Sequence, residues 1–136
     1  MKLVIYTDGA SRGNPGPASY GFVIKNEIGR LLYEQGEYIG IATNNVAEYT
    51  AVIKVLQWVK KQYGHHKVQV NVFADSKLVA EQLSGRFKVK SAHLKPIIEK
   101  IKILAMELGG VIFSHIPRSQ NSHADYLANQ ALDSLN

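Results

Sequence analysis

The sequence predicts an α/β protein in which helices cover a five-stranded mixed sheet, and three observations support this. Three strand-like segments lie within the first 39 residues. Helical periodicity begins at residue 46. The segments after it follow the order helix, strand, helix, helix, strand, helix. A strand-rich start followed by alternating helices and strands is typical of a mixed sheet packed against helices.

The first three strands are predicted from apolar runs separated by turn signals. Residues 3–7 form an apolar run that ends at Asp8-Gly9, as expected for a buried strand. Residues 9–17 are rich in Gly and Pro and are predicted to form a tight loop. Residues 20–25 and 31–39 follow as strands, and the short turn between them favours an antiparallel meander.

Helices and strands alternate through the rest of the chain. Apolar residues at helical spacing predict an amphipathic helix over residues 46–63, which ends at Gly64. Glycines also mark the ends of two later helices. The later elements are a strand at 67–74, a helix at 77–83, a helix over the apolar positions of 94–108, a fifth strand at 111–116 and a helix at 122–135.

Length and composition indicate one globular domain, residues 1–136. Of these residues 46% are hydrophobic and 20% are charged, which is enough apolar content for a buried core. The chain has no cysteine, which excludes a disulfide framework, a thiolate zinc site and a cysteine nucleophile. The apolar run before Asp8 is too short for a signal peptide or a membrane span. We therefore expect a cytoplasmic protein with no membrane partner.

The charge balance favours an anionic partner without identifying it. The chain has 16 Lys and Arg residues against 11 Asp and Glu residues, a net charge of +5. The densest basic stretch includes one aromatic residue, Phe87, too few for a stacking platform. In an unrelated protein this stretch would be a solvated helix face. It comprises Arg86, Lys88, Lys90, Lys95, Lys100 and Lys102.

Four acidic residues stand beside turn or helix-start signals: Asp8, Glu48, Asp75 and Asp125. Asp8 and Asp75 follow predicted strands, at the edge where α/β sheets place their ligands. Glu48 and Asp125 lie near the starts of predicted helices that could open onto the same edge. A cluster of like charges is costly unless divalent cations neutralise it, and Mg²⁺ suits phosphate chemistry. The four residues together predict a metal-dependent nuclease site.

Each carboxylate also has an explanation that involves no site. Asp8 could initiate a turn, and Glu48 could belong to a capping box with Asn45. Asp75 could help to cap the helix that follows it. Asp125 could stabilise a helix start through the helix dipole. These explanations stay open for the single residues, but together they require four coincidences of position and charge.

Other polar residues are candidates for proton transfer or binding. His115 could transfer a proton near neutral pH, or it could be a strand-end histidine bonded to the backbone. Thr43, Asn44 and Asn45 could hydrogen-bond phosphates or base edges, with helix capping as the alternative. The glycine-rich segment lacks a P-loop signature and no GxGxxG occurs, so no nucleotide cofactor is expected. Histidines expected to play no part in the site are His65-His66 and His123.

Four strings in the sequence resemble the motifs of ribonuclease H type 1, in the order in which that family has them. TDGASRGNPGPASYG resembles the first-strand motif, and TNNVAEYTA resembles the motif that supplies the helix glutamate. ADSKLV resembles the fourth-strand aspartate motif, and HIPRSQNSHADYLANQAL resembles the terminal motif. The likeness covers essentially the whole chain, and four ordered motifs are highly specific.

The resemblance implies a ribonuclease H-like fold, a five-stranded mixed sheet with its first three strands antiparallel and helices on both faces. It implies hydrolysis of the RNA strand of RNA–DNA hybrids by a monomer, with double-stranded RNA as a further candidate substrate. The products would carry 5′-phosphate and 3′-hydroxyl ends. The matched metal-binding carboxylates are Asp8, Glu48, Asp75 and Asp125, which would hold two Mg²⁺ or Mn²⁺ ions when substrate is bound.

The resemblance also assigns residues outside the carboxylates. Asn14, Thr43, Asn44 and Asn45 match positions that hold substrate in the family. His115 lies ten residues before Asp125, the separation of the family's mobile histidine, which implies a role in proton transfer or product release.

The sequence departs from the family pattern in three places. The segment between Leu83 and Leu94 is too short for the basic protrusion with which many bacterial members grip the hybrid. Lys77 stands where many members have Gln, so its contact with substrate stays open. The run HIPR resembles a compact branch of the family. We expect no additional hybrid-binding domain before Met1.

The implied mechanism uses two divalent cations. One would lower the pKa of a water that attacks the scissile phosphorus, and the other would stabilise the departing 3′ oxygen. Asp8 would bridge both ions, Asp75 would help to hold the ion on the attacking side, and Glu48 and Asp125 would complete the coordination. Contacts to 2′-hydroxyls, one of them from Glu48, would select RNA. Two alternatives are a binding module of the same fold and a nuclease that cuts DNA.

Overall fold

The computed structural model describes residues 1–64, 66–86, 88 and 91–135. Predictions that involve His65, Phe87 and Lys90 fall outside these residues. The described residues form five strands and four α-helices: β1 (Lys2–Ser11), β2 (Gly16–Asn26), β3 (Leu31–Ala42), α1 (Asn44–Tyr63), β4 (Gln69–Ala74), α2 (Lys77–Leu83), α3 (Lys95–Glu107), β5 (Val111–His115) and α4 (Ser122–Asp133).

The five strands form one mixed sheet in the order β3-β2-β1-β4-β5. β1, β2 and β3 pair antiparallel, whereas β4 pairs parallel with both β1 and β5. The predicted five-stranded sheet and its antiparallel start are confirmed. Because β1, β4 and β5 run in the same direction, their carboxyl ends meet at one edge of the sheet.

Helices cover both faces of the sheet, as predicted. The main core lies between the sheet and α1, where alternate strand residues such as Leu3, Ile5 and Phe22 are fully buried. α2 and α3 extend this layer through Val79, Leu83, Ile98 and Ile101. α4 packs on the opposite face, over β2, β3 and β1. None of the helices in the described ranges is long and apolar enough to cross a bilayer.

The structure differs from two predicted boundaries, those of the loop at residues 9–17 and of the helix start at residue 46. The predicted loop at residues 9–17 is much shorter, because β1 pairs with β2 as far as Ser11 opposite Ala18. Asp8 therefore lies within a strand and does not initiate a turn. α1 begins at Asn44, before the predicted residue 46, so the alternative of a capping box between Asn45 and Glu48 does not apply. Its cap is Thr43, whose Oγ1 accepts a hydrogen bond from the backbone N of Val46 at 3.2 Å.

Candidate metal centre

Three elements bring the first three carboxylates to the edge where the parallel strands end. Asp8 directly follows the last β1 residue that pairs with β4, and Asp75 directly follows β4. Glu48 lies in the second turn of α1, which begins against β1. Gly9 permits this approach, since a Cβ there would lie 2.3 Å from the backbone N of Glu48. The strand ends and the close helix start therefore place these carboxylates side by side.

The carboxylates converge in one cleft. Oxygen atoms of Asp8, Glu48 and Asp75 all lie within 4.8 Å of one another. Asp125, in the first turn of α4, lines the same cleft of about 490 Å³ and is close enough to Asp8 to contribute to the raised pKa of that residue. Carboxylate oxygens at this spacing are a suitable ligand set for hard divalent cations.

The cluster makes ionisation of its members unfavourable. Burial raises the pKa of Asp8 to about 9, and the neighbouring charges of Glu48 and Asp75 add to this shift. Burial, followed by the charge of Asp75, raises the pKa of Glu48 to about 8, while Arg118 opposes the shift. Without a cation, the cluster therefore retains protons at neutral pH. A divalent cation would favour the ionised carboxylates.

Two residues of the cleft, Arg118 and Asn129, were not predicted from the sequence. Nδ2 of Asn129 donates to Oδ1 of Asp125 at 3.2 Å and orients that carboxylate. Nη2 of the exposed Arg118 lies 3.9 Å from the same Oδ1. Asn129 could have been found from its position four residues after Asp125 on a helix. Arg118 begins a 3₁₀ helix of only three residues, Arg118–Gln120, which is too short for periodicity to give a signal.

Asn121 attaches the start of α4 to the sheet through its side chain. Its Nδ2 donates to the backbone O of Thr7 at 2.8 Å, and the residue is almost fully buried. The side chain makes no capping hydrogen bond to α4. This bond joins the α4 start to β1 one residue before Asp8, and so helps to place Asp125 beside the other carboxylates.

The four polar residues predicted to bind substrate lie together beside the cluster. Asn14, Thr43, Asn44 and Asn45 line a second cleft of about 400 Å³. Asn44 also lines the acidic cleft, so the two clefts adjoin at this residue. The backbone N of Asn44 donates to Oδ1 of Asn14 at 3.0 Å, which connects the β1–β2 loop to the start of α1. Thr43 caps the helix and lines the cleft at the same time.

His115 and Lys77 line neither the acidic cleft nor the adjoining cleft at Asn44. His115 is the exposed last residue of β5 and pairs with Ala74, beside the strand end that precedes Asp75. Lys77 is the exposed first residue of α2. Nε2 of His123 lies 2.5 Å from Oε2 of Glu34, so this histidine is partly exposed but paired.

Comparisons with known proteins identify the class to which this fold and acidic cluster belong. The family model described as reverse transcriptase-like matches residues 6–131. The structure of LC11-RNase H1 in complex with an RNA/DNA hybrid is similar, with a TM-score of 0.94 and 44% identity over 98% of both chains. RNase H1 from Halobacterium salinarum has a TM-score of 0.92 and 37% identity, over 98% of this chain and 99% of that one. The fold is ribonuclease H-like.

Relatives identified by sequence show to which family within this fold class the chain belongs. A ribonuclease H of Ruthia magnifica is 32% identical over 149 residues, covering 98% of this chain and 97% of that protein. The chain belongs to the ribonuclease H family, type 1. A bifunctional protein of Mycobacterium tuberculosis is 44% identical over 134 residues. The chain spans only 36% of the length of that relative, and 63% of the ribonuclease HI of Halobacterium salinarum.

Proposed function

We propose that residues 1–136 form a single catalytic domain that hydrolyses the RNA strand of RNA–DNA hybrids. The observation that carries the proposal is the convergence of carboxylates from β1, α1, the end of β4 and α4 in one cleft. Membership of the ribonuclease H family and the hybrid bound by the LC11 relative support the substrate class. The products would be 5′-phosphate and 3′-hydroxyl ends.

Asp8, Glu48, Asp75 and Asp125 would hold Mg²⁺ or Mn²⁺, two ions when substrate is bound. The set fits such ions because it offers only carboxylate oxygens, which hard cations prefer, and because three of these oxygens lie within 4.8 Å. Bound there, the cations would lower the pKa of the attacking water and stabilise the departing oxygen. The protein would contribute the fixed positions of the carboxylates.

The neighbouring residues would position the substrate. Asn14, Thr43, Asn44 and Asn45 would hydrogen-bond the substrate backbone in the adjoining cleft, because their polar groups line it together. The exposed guanidinium of Arg118 would attract the scissile phosphate to the acidic cleft. Contacts to 2′-hydroxyls would distinguish RNA from DNA, and Glu48 is a candidate for one of them.

The proposal assigns lesser roles to two residues at the periphery. His115 would transfer a proton or assist product release from the edge of the sheet beside Asp75. Lys77 would contact the substrate backbone from the start of α2. The enzyme would act as a cytoplasmic monomer without a nucleotide cofactor, and double-stranded RNA would be a second substrate.

Asp8→Asn tests the proposal, since Asp8 is the most central carboxylate. We expect Mg²⁺-dependent cleavage of a labelled RNA–DNA hybrid to fall by at least about 100-fold, because a ligand is lost while the shape is retained. Asp133→Asn is the matched control, because Asp133 is an exposed carboxylate paired with Arg12 at 2.5 Å. Wild-type cleavage by folded Asp8→Asn would contradict the proposal.

A panel of matched duplexes tests the substrate class. We expect cleavage of the RNA strand in RNA–DNA duplexes, weaker cleavage of RNA–RNA duplexes, and none of DNA–DNA duplexes. Each duplex is assayed with Mg²⁺ and with Mn²⁺. Preferential cleavage of DNA would favour a different nuclease, and tight binding without cleavage under all conditions would favour a binding module.

A further inference from the structure

One half of the sheet has a face that α4 does not cover. α4 packs over β2, β3 and the adjoining side of β1, and α2 covers β4 and β5 from the other side. The side chains of this part of the sheet, here called the open face, belong to three parallel strands and one residue of β2. They are Lys2, Val4 and Tyr6 of β1, Gln69, Asn71 and Phe73 of β4, Ile112 and Ser114 of β5, and Lys25 of β2. The margin of the open face at Tyr6 and Lys25 lines a small cleft with residues 120–123, where α4 begins.

Burial separates this face from the opposite one. Leu3, Ile5 and Val72, which alternate with residues of the open face, are at most 1% exposed beneath α1. On the open face Ile112 is 55% exposed, and Tyr6 and Phe73 are only partly buried. Strand side chains alternate between faces, so a half-exposed apolar row indicates a surface on which something else can pack.

The strand register places two aromatic rings next to each other on the open face. Tyr6 pairs with Phe73, and Phe73 pairs with Ser114 on the edge strand β5. The ring centroids of Tyr6 and Phe73 are 5.5 Å apart with an interplanar angle of 27°. The neighbour of Phe73 on its other side is the small Ser114. No large side chain of β5 therefore stands beside the Phe73 ring in the register.

One lysine lies beside the aromatic pair, and two more lie towards the other end of the open face. Nζ of Lys25 lies 5.6 Å from the ring centroid of Tyr6, and Lys2 projects from the same face. Lys67 lines a shallow groove with Gln69 and Ile112 at the end of the face. The acidic neighbour in contact with this region is Glu27, whose Oε2 accepts from the backbone N of Lys2 at 3.2 Å. Among the described residues, Lys2, Lys25 and Lys67 outnumber Glu27 on this face, and the carboxylates of Asp8 and Asp75 lie beyond it in the metal centre. The lysine-bearing part of the face favours an anionic occupant.

A polar group in the open face lacks a hydrogen-bond partner. Oδ1 of Asn71 is shielded from solvent and has no partner among the described residues. Asn71 of β4 pairs with Val4 on one side and with Ile112 on the other, and it lies two residues before Phe73 on the same face of the sheet. An amide left unsatisfied in this way costs free energy. A ligand with donors and acceptors, such as a nucleobase, could satisfy it after a small side-chain movement.

The open face is separate from the metal centre but adjoins it. Tyr6 and Asp8 are two residues apart on β1, and Phe73 and Asp75 are two residues apart at the end of β4. The segment from β5 to α4 passes between the two regions, and Asn121 attaches it to β1 through its 2.8 Å bond to the backbone O of Thr7. A ligand bound on the open face would therefore lie next to the metal centre without entering it.

We propose that the open face binds single-stranded nucleic acid. A base would stack on Phe73 at the edge of the aromatic pair, and Lys25, Lys2 and Lys67 would contact the phosphates. The occupant is single-stranded because paired bases are not free to reach a protein ring. Binding here requires no hydrolysis, so this proposal and the proposed hydrolysis can fail separately.

Fluorescence anisotropy with a fluorescein-labelled 12-nucleotide oligothymidylate tests the proposal in EDTA. We expect Phe73→Leu to weaken binding at least about fivefold, the loss typical of one stacked base. We expect Lys25→Gln to weaken binding and to reduce the slope of log affinity against log salt by about 0.7. Lys102→Gln, an exposed lysine change on α3, is the matched control and should bind as the wild type does.

Cleavage of a short blunt-ended hybrid reports on the metal centre and does not depend on the open face. We expect Phe73→Leu, Lys25→Gln and Lys102→Gln all to cleave this hybrid as the wild type does. Lys25→Gln lies on the surface, so the test stands even if Phe73→Leu does not fold. Unchanged oligothymidylate affinity in Lys25→Gln and in folded Phe73→Leu would overturn the proposal. No binding by the wild type, or a wild-type dimer in sedimentation that Ile112→Glu dissociates, would also overturn it.

Discussion

Asp8 is the residue on which the metal centre depends most. It is only 5% exposed and it has carboxylate neighbours on three sides. A buried carboxylate among like charges opposes folding at neutral pH unless protons or cations compensate. Its presence therefore indicates that the site is built for a bound cation at some cost in the stability of the metal-free protein.

The raised pKa values predict an unusual pH dependence of stability. The pKa values of Asp8 and Glu48 are about 9 and about 8 in the fold, against about 4 in an unfolded chain. The folded protein thus binds protons that the unfolded chain has released, so the contribution of these groups to the free energy of unfolding falls as pH rises from about 4 to about 9.

Asp8→Asn removes most of this contribution. In EDTA we expect the variant to be more stable than the wild type at pH 9, by about 1–2 kcal/mol. The difference should shrink towards pH 5, where Asp8 is protonated in the fold. Urea denaturation at the two pH values measures it, with Asp133→Asn as control. A stability difference that is the same at both pH values would show that ionisation of Asp8 is not the cause.

At the scale of elements, glycines in the sheet set how closely the helices approach. A Cβ on Gly9 would lie 2.3 Å from the backbone N of Glu48 in α1. Cβ atoms on Gly21 and Gly36 would lie 2.4 Å from backbone oxygens of Ala124 and Leu127 in α4. The same close packing that forms the layers therefore brings Glu48 and Asp125 to the sheet edge.

Gly9→Ala tests this coupling between packing and site. We expect it to destabilise the protein by about 1–3 kcal/mol, because the added methyl group overlaps the start of α1. The φ angle of Gly9 is not positive, so contact alone accounts for the effect. Cleavage of hybrid should fall by more than the loss of folded protein, since Glu48 moves with α1. If Gly9→Ala had the stability and activity of the wild type, α1 would be able to move away from the added methyl group without affecting the site.

The sequence predicted the elements better than their connections. All five strands and four helices follow from apolar periodicity and terminal glycines. The extension of β1 to Ser11 was not predictable, because its pairing with Ala18 overrides the local turn signal of Gly9 and Pro15. The start of α1 was predicted at residue 46 and lies at Asn44, since Thr43 and Asn45 have similar local preferences for a helix start.

At the scale of the whole molecule, a basic chain surrounds a small acidic site. The net charge of +5 would attract a polyanion, while the carboxylate cluster would repel it unless cations intervene. The convergence of Asp8, Glu48 and Asp75 was predictable from strand ends and helix starts. The contributions of Arg118 and Asn121 were not, because they depend on where the segment before α4 crosses the sheet.

Metal binding should therefore stabilise the whole fold. With Mg²⁺ at 100 times its dissociation constant, we expect about 2.7 kcal/mol of added stability for the wild type. Thermal denaturation with and without Mg²⁺ measures the gain, with NaCl at equal ionic strength as control. Asp133→Asn should gain as much as the wild type, and Asp8→Asn much less. An equal gain in Asp8→Asn would place the bound Mg²⁺ elsewhere.

The most direct test of the metal centre is anomalous diffraction from crystals soaked in Mn²⁺. The arrangement of Asp8, Glu48 and Asp75 within 4.8 Å predicts an anomalous peak among their oxygens, with Asp8 as a ligand. The peak should be absent from Asp8→Asn crystals soaked in the same way. A wild-type crystal without a peak at the cluster, from protein that cleaves hybrid with Mn²⁺ in solution, would contradict this account.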